Sequence, residues 1–244
     1  MELIAGLKSY VEFNKEIREI FKSHKEIILK DVNGQRYIGD GLHGEGKLTI
    51  YGTPGNDLAA YMNGPEIEIF GNGQDALGNT MNDGRVIVHG HCGDTTGYAM
   101  RGGEIFIKGN VGYRVGIHMK EYMEAKPVIV IGGKAGDFLG EYMAGGMIFL
   151  LGLNLEDGEE MIGKFCGTGM HGGVMYIRGE IEPHKLGKEV KAVTPNEDDY
   201  KLIKRYVKRY CKYFHRNMDY VMNKPFTKLI AYNKRPYANL YTPY

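Results

Sequence analysis

The chain has 244 residues, a formal net charge of +1 and 43% hydrophobic residues, with 36 glycines and no tryptophan. This apolar content excludes a disordered chain, and glycine without a Gly-X-Y period excludes a collagen. No basic segment followed by an apolar run opens the sequence, and no apolar run reaches the length of a membrane span, so we expect a cytoplasmic protein that does not enter a membrane. Three widely spaced cysteines do not predict a disulfide framework.

Residues 1–32 are predicted to form an N-terminal cap of one helix and one strand. The stretch SYVEFNKEIREIFKS places four apolar side chains near one helical face, at Val11, Ile17, Ile20 and Phe21. The following EIILKDVNG has the composition of a strand and a turn. Because the first coil of a repeat protein exposes unpaired backbone groups, we expect this segment to cover that end.

Residues 33–179 contain a 19-residue repeat. The copies GNGQDALGNTMNDGRVIVH and GHCGDTTGYAMRGGEIFIK follow the pattern G-x-x-G-x-x-x-G-x-x-M-x-x-G-x-I-x-I-x. Seven copies can be traced, from the degenerate NGQRYIGDGLHGEGKLTIY to a last copy that follows an insertion. A unit of this length with one strand-like segment predicts an all-β fold, a right-handed parallel β-helix of about seven coils with helical caps at both ends.

Two sets of side chains are predicted to fill the interior of this β-helix. Apolar residues at alternate strand positions point inward, and the residues between them point outward. Methionine recurs at the tenth offset of six copies and is expected to form an interior column, at Met62, Met81, Met100, Met119, Met143 and Met170. In the first copy, His43 is expected at that offset.

The repeated glycines are assigned a structural role in turns and close stacking. Each coil has to turn sharply, which favours positive φ, and stacked backbones leave no room for a Cβ. The glycines with this predicted role are Gly52, Gly55, Gly71, Gly78, Gly90, Gly93, Gly97, Gly103, Gly109, Gly112, Gly116, Gly136, Gly140, Gly146, Gly167 and Gly173. No catalytic, cofactor-binding or metal-binding residue is predicted.

Short matches to ligand-binding motifs are explained better by the repeat. GLHGEGKL and GEEMIGKF fit the first part of a P-loop, but Leu48 and Phe165 stand where Ser or Thr would bind Mg²⁺. HGHC has the composition of a metal-ligand cluster, yet His89 occupies an outward offset and is expected on the surface. Cys166 and His171 lack a third residue that would orient them. Nucleotide and metal binding stay as alternatives.

Residues 180–244 are predicted to form a basic, tyrosine-rich helix and tail. From residue 200 onward the chain holds eleven Lys or Arg and a single acid, Asp219. The segment PNEDDYKLIKRYVKRYCKYFHRNMDYVMN opens with helix-start residues and has one apolar helical face, at Ile203, Val207, Tyr210, Phe214, Met218 and Val221. An irregular tail is expected after it. We expect the helix to dock on the acidic β-helix, with nucleic-acid binding as the alternative.

The repeat resembles the GXGXG domain at the C-terminal end of the glutamate synthase large chain. GEYMAGG, CGTGMHGGVMYIRG and the strand-plus-glycine spacing carry this resemblance from about Asn33 to Gly179. The sequence is most similar to the stand-alone form, in which this domain is a separate subunit. The same repeat occurs in the β-helix subunit of formylmethanofuran dehydrogenase, a molybdenum or tungsten enzyme. The coil MKEYMEAKPVIVIGG and the last coil favour the glutamate synthase side.

The resemblance implies a non-catalytic scaffold subunit of an oxidoreductase complex in glutamate biosynthesis and nitrogen metabolism. In that complex, glutamine-derived ammonia is transferred to 2-oxoglutarate and the product is reduced at FMN. The expected partners are a glutamine amidotransferase subunit and a synthase subunit that carries FMN and an iron–sulfur cluster. No cofactor, no nucleic acid and no turnover by this chain alone are expected.

Three other functions stay open from the sequence. The chain is the equivalent scaffold of a formylmethanofuran dehydrogenase, or a nucleic-acid-binding module that uses the basic C-terminal segment, or an independent enzyme with its site on an outer face of the β-helix. Molybdopterin-containing partners would indicate the first, and salt-sensitive binding that depends on residues 200–244 would indicate the second. Turnover by the purified chain would indicate the third.

Overall fold

The computed structural model describes residues 1–153, 155–156 and 158–232. Its elements, in chain order, are β1 (Glu2–Ile4), α1 (Tyr10–Phe21), β2 (Glu26–Asn33), β3 (Lys47–Thr53), β4 (Asn63–Phe70), β5 (Asp83–Val88), β6 (Glu104–Ile107), β7 (Val128–Ile131), β8 (Ala144–Leu150), β9 (Gly172–Arg178), a 3-10 helix (Pro183–Lys185), β10 (Val190–Val193), α2 (Glu197–Phe214), α3 (Met218–Met222) and β11 (Phe226–Ala231).

Parallel strands stack in chain order from β1 to β9. The register advances by one repeat per strand, since Ile67 pairs with Val86 and Val86 pairs with Ile105. An insertion before β7 lengthens the next step, and Ile105 pairs with Ile129. The chain is therefore a parallel β-solenoid, as predicted, in which the seven repeat strands β3–β9 are joined by six turns.

One hydrophobic core runs along the inside of the solenoid. The inward strand positions have no exposed surface, as at Ile67, Ile69, Ile105 and Ile107, and they belong to one continuous cluster with the core residues of α1. A second cluster lies outside the sheet, between the outward side chains of β5–β9 and α2. The outward positions of these strands are therefore covered by a helix, while those of β1–β4 lie beyond its end.

Helix α1 packs its apolar face against the core of the first coils. Ser9 caps its first turn and forms a capping box with Glu12, and the helix buries Phe13, Ile17 and Phe21. The prediction that Val11 lies on the buried face is wrong, because Phe13 occupies that face and Val11 is 60% exposed. Strand β1, whose three residues pair in parallel with β2, was not predicted.

Helix α2 lies across the outer face and ends earlier than predicted. Asn196 and Asp199 form a capping box at its start. The prediction of one helix reaching Val221 is wrong: His215 adopts a left-handed conformation with φ 52° and ends α2. Asn217 then caps the separate helix α3, which buries Val221.

Two antiparallel strands close the C-terminal end of the sheet. Strand β11 pairs antiparallel with β9, and β10 pairs antiparallel with β11. The expectation of an irregular segment after α3 is therefore wrong for Phe226–Ala231, where Phe226 and Leu229 are buried. The predicted tail at 233–244 lies outside the described residues. None of the described helices has the length and apolar character that a bilayer crossing requires.

Candidate functional site

One corner of every coil contains alternating left-handed residues. In the coil before β6, Thr95, Gly97 and Ala99 have φ values of 53°, 71° and 49°. The alternation turns successive N–H groups in opposite directions: Thr95 donates to the carbonyl of Tyr113 in the next coil, at 2.8 Å, and Gly97 donates to Leu77 in the previous coil, at 2.7 Å. The corner amides therefore donate hydrogen bonds to backbone carbonyls of the neighbouring coils and form a ladder along the solenoid.

The glycines predicted from the repeat occupy positions of two kinds. At the first kind, φ is positive, as at Gly52, Gly78, Gly97, Gly103, Gly116, Gly140, Gly146, Gly167 and Gly173. At the second kind, a Cβ would meet an adjacent coil, as at Gly55, Gly71, Gly90, Gly93, Gly109, Gly112 and Gly136. A Cβ at Gly71, for example, would overlap the carbonyl oxygen of Gly52. These glycines are therefore explained by turns and by close packing between coils, rather than by a phosphate-binding loop.

The methionine column lies in the solenoid interior. Its six members have no exposed surface, at Met62, Met81, Met100, Met119, Met143 and Met170. The expectation for the first coil is wrong, because His43 pairs with Asn63 and is exposed. The first coil is one residue longer than the repeat, so the buried Leu42, whose carbonyl accepts from Asn63, takes the place of methionine.

The HGHC residues and Cys166 make separate contacts in the structure and do not form one ligand cluster. His91 Nδ1 accepts a hydrogen bond from the amide of Asn110 in the next coil, at 2.9 Å. Burial raises the pKa of the Cys92 and Cys166 thiols to about 12, which disfavours the thiolate that a nucleophile or metal ligand needs. Across residues 1–153, 155–156 and 158–232, no group of three or more His, Cys, Asp or Glu is placed to hold a metal ion.

A ladder of charges joins the solenoid to α2. At one outward offset, four consecutive strands carry Lys47, Glu66, Arg85 and Glu104, and each pairs with the next: Lys47 Nζ lies 3.0 Å from Glu66, and Arg85 bridges Glu66 at 2.9 Å and Glu104 at 3.0 Å. Arg209 of α2 makes a bidentate ion pair with Glu104. Burial alone would raise the pKa of Glu104, but the two guanidiniums hold it below its ordinary value.

An aromatic ladder occupies another outward offset of the same face. Tyr51 stacks on Phe70 with ring centroids 5.1 Å apart, and Phe70 stacks on His89 at 4.4 Å. Phe214, the last residue of α2, meets the His89 ring edge-on at 5.3 Å. His89 points outward as expected, but it is half-buried in this stack and hydrogen-bonded to Glu68 at 3.0 Å. Beyond the helix end, Tyr51 and Phe70 stay 44% and 41% exposed.

The solvent face of α2 is a stripe of cations. After the acidic first turn, which exposes Glu197 and Asp198, its exposed side chains are Lys201, Lys204, Arg205, Lys208 and Lys212, the set called here the basic stripe. Lys201 pairs with the neighbouring Asp198, and Arg209, on the flank, faces the sheet. The chain has no acidic residue between Asp199 and Asp219, so the stripe keeps a single sign of charge.

Neither outward ladder was predicted, although the 19-residue spacing contains the signal for each. Lys47, Glu66, Arg85 and Glu104 share one offset and alternate in charge, which indicates pairing between adjacent parallel strands. Tyr51, Phe70 and His89 share another offset. What the spacing cannot show is where α2 stops, and this decides which of the aromatic rings are covered.

Comparison with known proteins gives a match across the whole fold. The GXGXG motif family matches residues 5–233, from the cap to the last described strand. An uncharacterized protein of Methanocaldococcus jannaschii is 46% identical, in a comparison that covers 96% of this chain and 93% of the relative. The chain thus belongs to the GXGXG family, and the match is to a GXGXG domain of the glutamate synthase type.

Proposed function

We propose that this protein is a scaffold subunit of a glutamate synthase-type complex. The observation that carries the proposal is the extent of the family match, which includes the solenoid, α2 and β11. The match therefore extends over nearly the whole chain, from residue 5 to residue 233. In the proposed complex it packs between a glutamine amidotransferase subunit and a synthase subunit with FMN and an iron–sulfur cluster, and it supports the route by which ammonia passes between them.

The construction of the solenoid suits a supporting role. Most of its glycines, the six methionines of the column and two of its cysteines serve turns, inter-coil contacts or the core, and its corner amides bond to neighbouring coils. A rod whose side chains repeat at fixed spacing presents long, stiff ladders to its neighbours. Such a body positions other subunits without supplying reacting groups.

Reconstitution tests the proposal. Purified amidotransferase and synthase subunits from the same organism are mixed with and without this chain, and glutamate formation is followed with either glutamine or free ammonia as nitrogen donor. We expect the chain to raise the glutamine-dependent rate several-fold and to leave the ammonia-dependent rate of the synthase nearly unchanged. An equal glutamine-dependent rate in its absence would contradict the proposal, and binding to molybdopterin subunits instead would support the formylmethanofuran dehydrogenase function.

A further inference from the structure

The outer face of the sheet is covered over only part of its length. Helix α2 begins at β9, where Tyr176 donates a hydrogen bond to Asp199, and ends at β5, where Phe214 meets His89. Within residues 1–153, 155–156 and 158–232, no helix covers the side chains that continue the same face onto β2–β4. Ile28, Tyr51 and Phe70 are 38%, 44% and 41% exposed, although they are large and apolar.

A groove lies beside this uncovered part. It has a volume of about 650 Å³ and is lined by Glu2, Ile28, Lys30, Asp31, Tyr51 and Gly52. Its floor and walls combine an aliphatic side chain, a tyrosine ring and paired charges, with Lys30 and Glu2 joined at 2.9 Å. An apolar anchor side chain of another protein fits this chemistry, since interface hot spots are aromatic or aliphatic anchors in pockets with a polar rim.

The basic stripe extends along α2 towards the exposed aromatic residues of β3 and β4. Lys204, Lys208 and Lys212 stand four residues apart, and like charges at this spacing destabilise a helix. Lys212 is two residues from Phe214, where the aromatic ladder begins. An ordinary solvated helix face carries both signs of charge, so an acidic partner surface relieves a repulsion that the isolated chain retains.

Resting on the proposed function, we infer that Ile28, Tyr51 and Phe70 with the basic stripe form one docking surface for a partner protein. The partner places an apolar anchor at the groove and carboxylates opposite Lys204, Lys208 and Lys212. A nucleic acid fits less well, because the carboxylates of Glu2 and Asp31 at the groove repel phosphates.

Three variants of the full chain test this surface. The first, Tyr51→Ser with Phe70→Ser, removes the exposed rings. The second reverses three stripe charges, Lys204→Glu, Lys208→Glu and Lys212→Glu. The matched control makes the same reversal at exposed lysines elsewhere, Lys120→Glu, Lys126→Glu and Lys188→Glu. Unfolding by circular dichroism establishes that each variant is folded before binding to the purified amidotransferase and synthase subunits is measured by interferometry.

We expect the ring variant to weaken binding to one of the two subunits at least tenfold, mainly through faster dissociation. The stripe variant is expected to slow association about tenfold and to flatten its salt dependence, while the control binds like wild type. If both variants bind like wild type, the docking surface is wrong and the proposed function stands. If wild type binds neither subunit, the proposed function fails and the docking surface fails with it. Binding of each protein to a labelled 20-base-pair DNA duplex is measured in parallel. If the ring and stripe variants lose DNA binding that wild type shows but keep subunit binding, the assignment is overturned in favour of nucleic acid.

Discussion

At the scale of single residues, the solenoid requires a left-handed backbone conformation at many residues whose side chains disfavour it. The corner of each coil has left-handed φ at three alternate residues, and many of these are not glycine, including Asp57, Thr80, Thr95 and Phe138. A left-handed conformation costs such residues about 1–2 kcal/mol each. Glycine is kept at the middle position of most coils, as at Gly97, where a Cβ would also meet Ile129. The inter-coil hydrogen bonds offset the cost at the other positions.

Replacing Thr95 with glycine is therefore expected to stabilise the fold. Thr95 is half-exposed, β-branched and held at φ 53°, so Thr95→Gly relieves strain at the expense of some unfolded-state entropy. We expect the free energy of unfolding in urea to rise by about 0.5–1 kcal/mol. The matched control, Thr49→Gly in β3, has ordinary extended backbone and should lower it by a similar amount. A fall at both positions would contradict the strain at this corner.

Gly103 is a position where adding a side chain is expected to destabilise the fold. Its φ is 76°, and a Cβ would lie 2.8 Å from the carbonyl oxygen of Gly84 in the previous coil. We expect Gly103→Val to lower the free energy of unfolding by more than about 3 kcal/mol, since strain and backbone overlap act together. Lys108→Thr, in the same coil with its side chain outward, should change it by less than about 0.5 kcal/mol. Thermal unfolding of both variants gives the comparison, and two silent substitutions would show that the coil register is wrong.

At the scale of elements, the position of α2 is fixed by polar contacts at both ends of its packed face. Near its start, Asp199 accepts from Tyr176 at 2.6 Å and pairs with Lys228 of β11 at 2.7 Å. Further along, Arg209 pairs with Glu104 of β6. Between these contacts Tyr206 packs against Phe149, with ring centroids 5.0 Å apart. The helix therefore ties β6 to β9 and β11, two strands with which β6 has no direct strand pairing.

The Glu104–Arg209 pair predicts an acid-sensitive docking of α2. Because the folded state holds the pKa of Glu104 below its ordinary value, this group contributes stability above the unfolded pKa of about 4.3, and the contribution is lost as the pH falls through the folded pKa. We expect Glu104→Gln to lower the free energy of unfolding by about 2 kcal/mol at pH 7, where Arg209 loses its partner. The difference from wild type should shrink between pH 5 and pH 3. A difference independent of pH would contradict a role for the carboxylate charge.

The repeat made the solenoid predictable, while single elements outside it were harder to predict. Ile67, Val86 and Ile105 recur at a fixed offset, so strand, face and stacking partner all follow from one period. Strand β11 has no such repeat: its pairing with β9 joins Thr227 to Ile177, across 50 residues. The end of α2 at His215 depends on one backbone conformation, within a pattern of apolar spacing that continues to Val221. The outward ladders were visible as spacings, but their exposure depends on that same helix end.

At the scale of the whole molecule, the described residues form a solenoid whose outer face is covered by α2 over β5–β9 and lies beyond that helix over β2–β4. The interior, the corners and the inter-coil contacts of the described residues use side chains and amides for the fold itself. What is left for other molecules is on the outside: the basic stripe, the groove and the exposed end of the aromatic ladder. This distribution supports the proposal of a scaffold function.

The most direct test is a gentle purification of the protein from its native cells, followed by mass spectrometry of the chains that co-elute and a visible absorption spectrum. We predict a complex with a glutamine amidotransferase subunit and a synthase subunit, whose spectrum shows the bands of an oxidised flavin and a broad iron–sulfur shoulder. A colourless chain that elutes alone, or one that brings nucleic acid or molybdopterin subunits, would contradict the scaffold function.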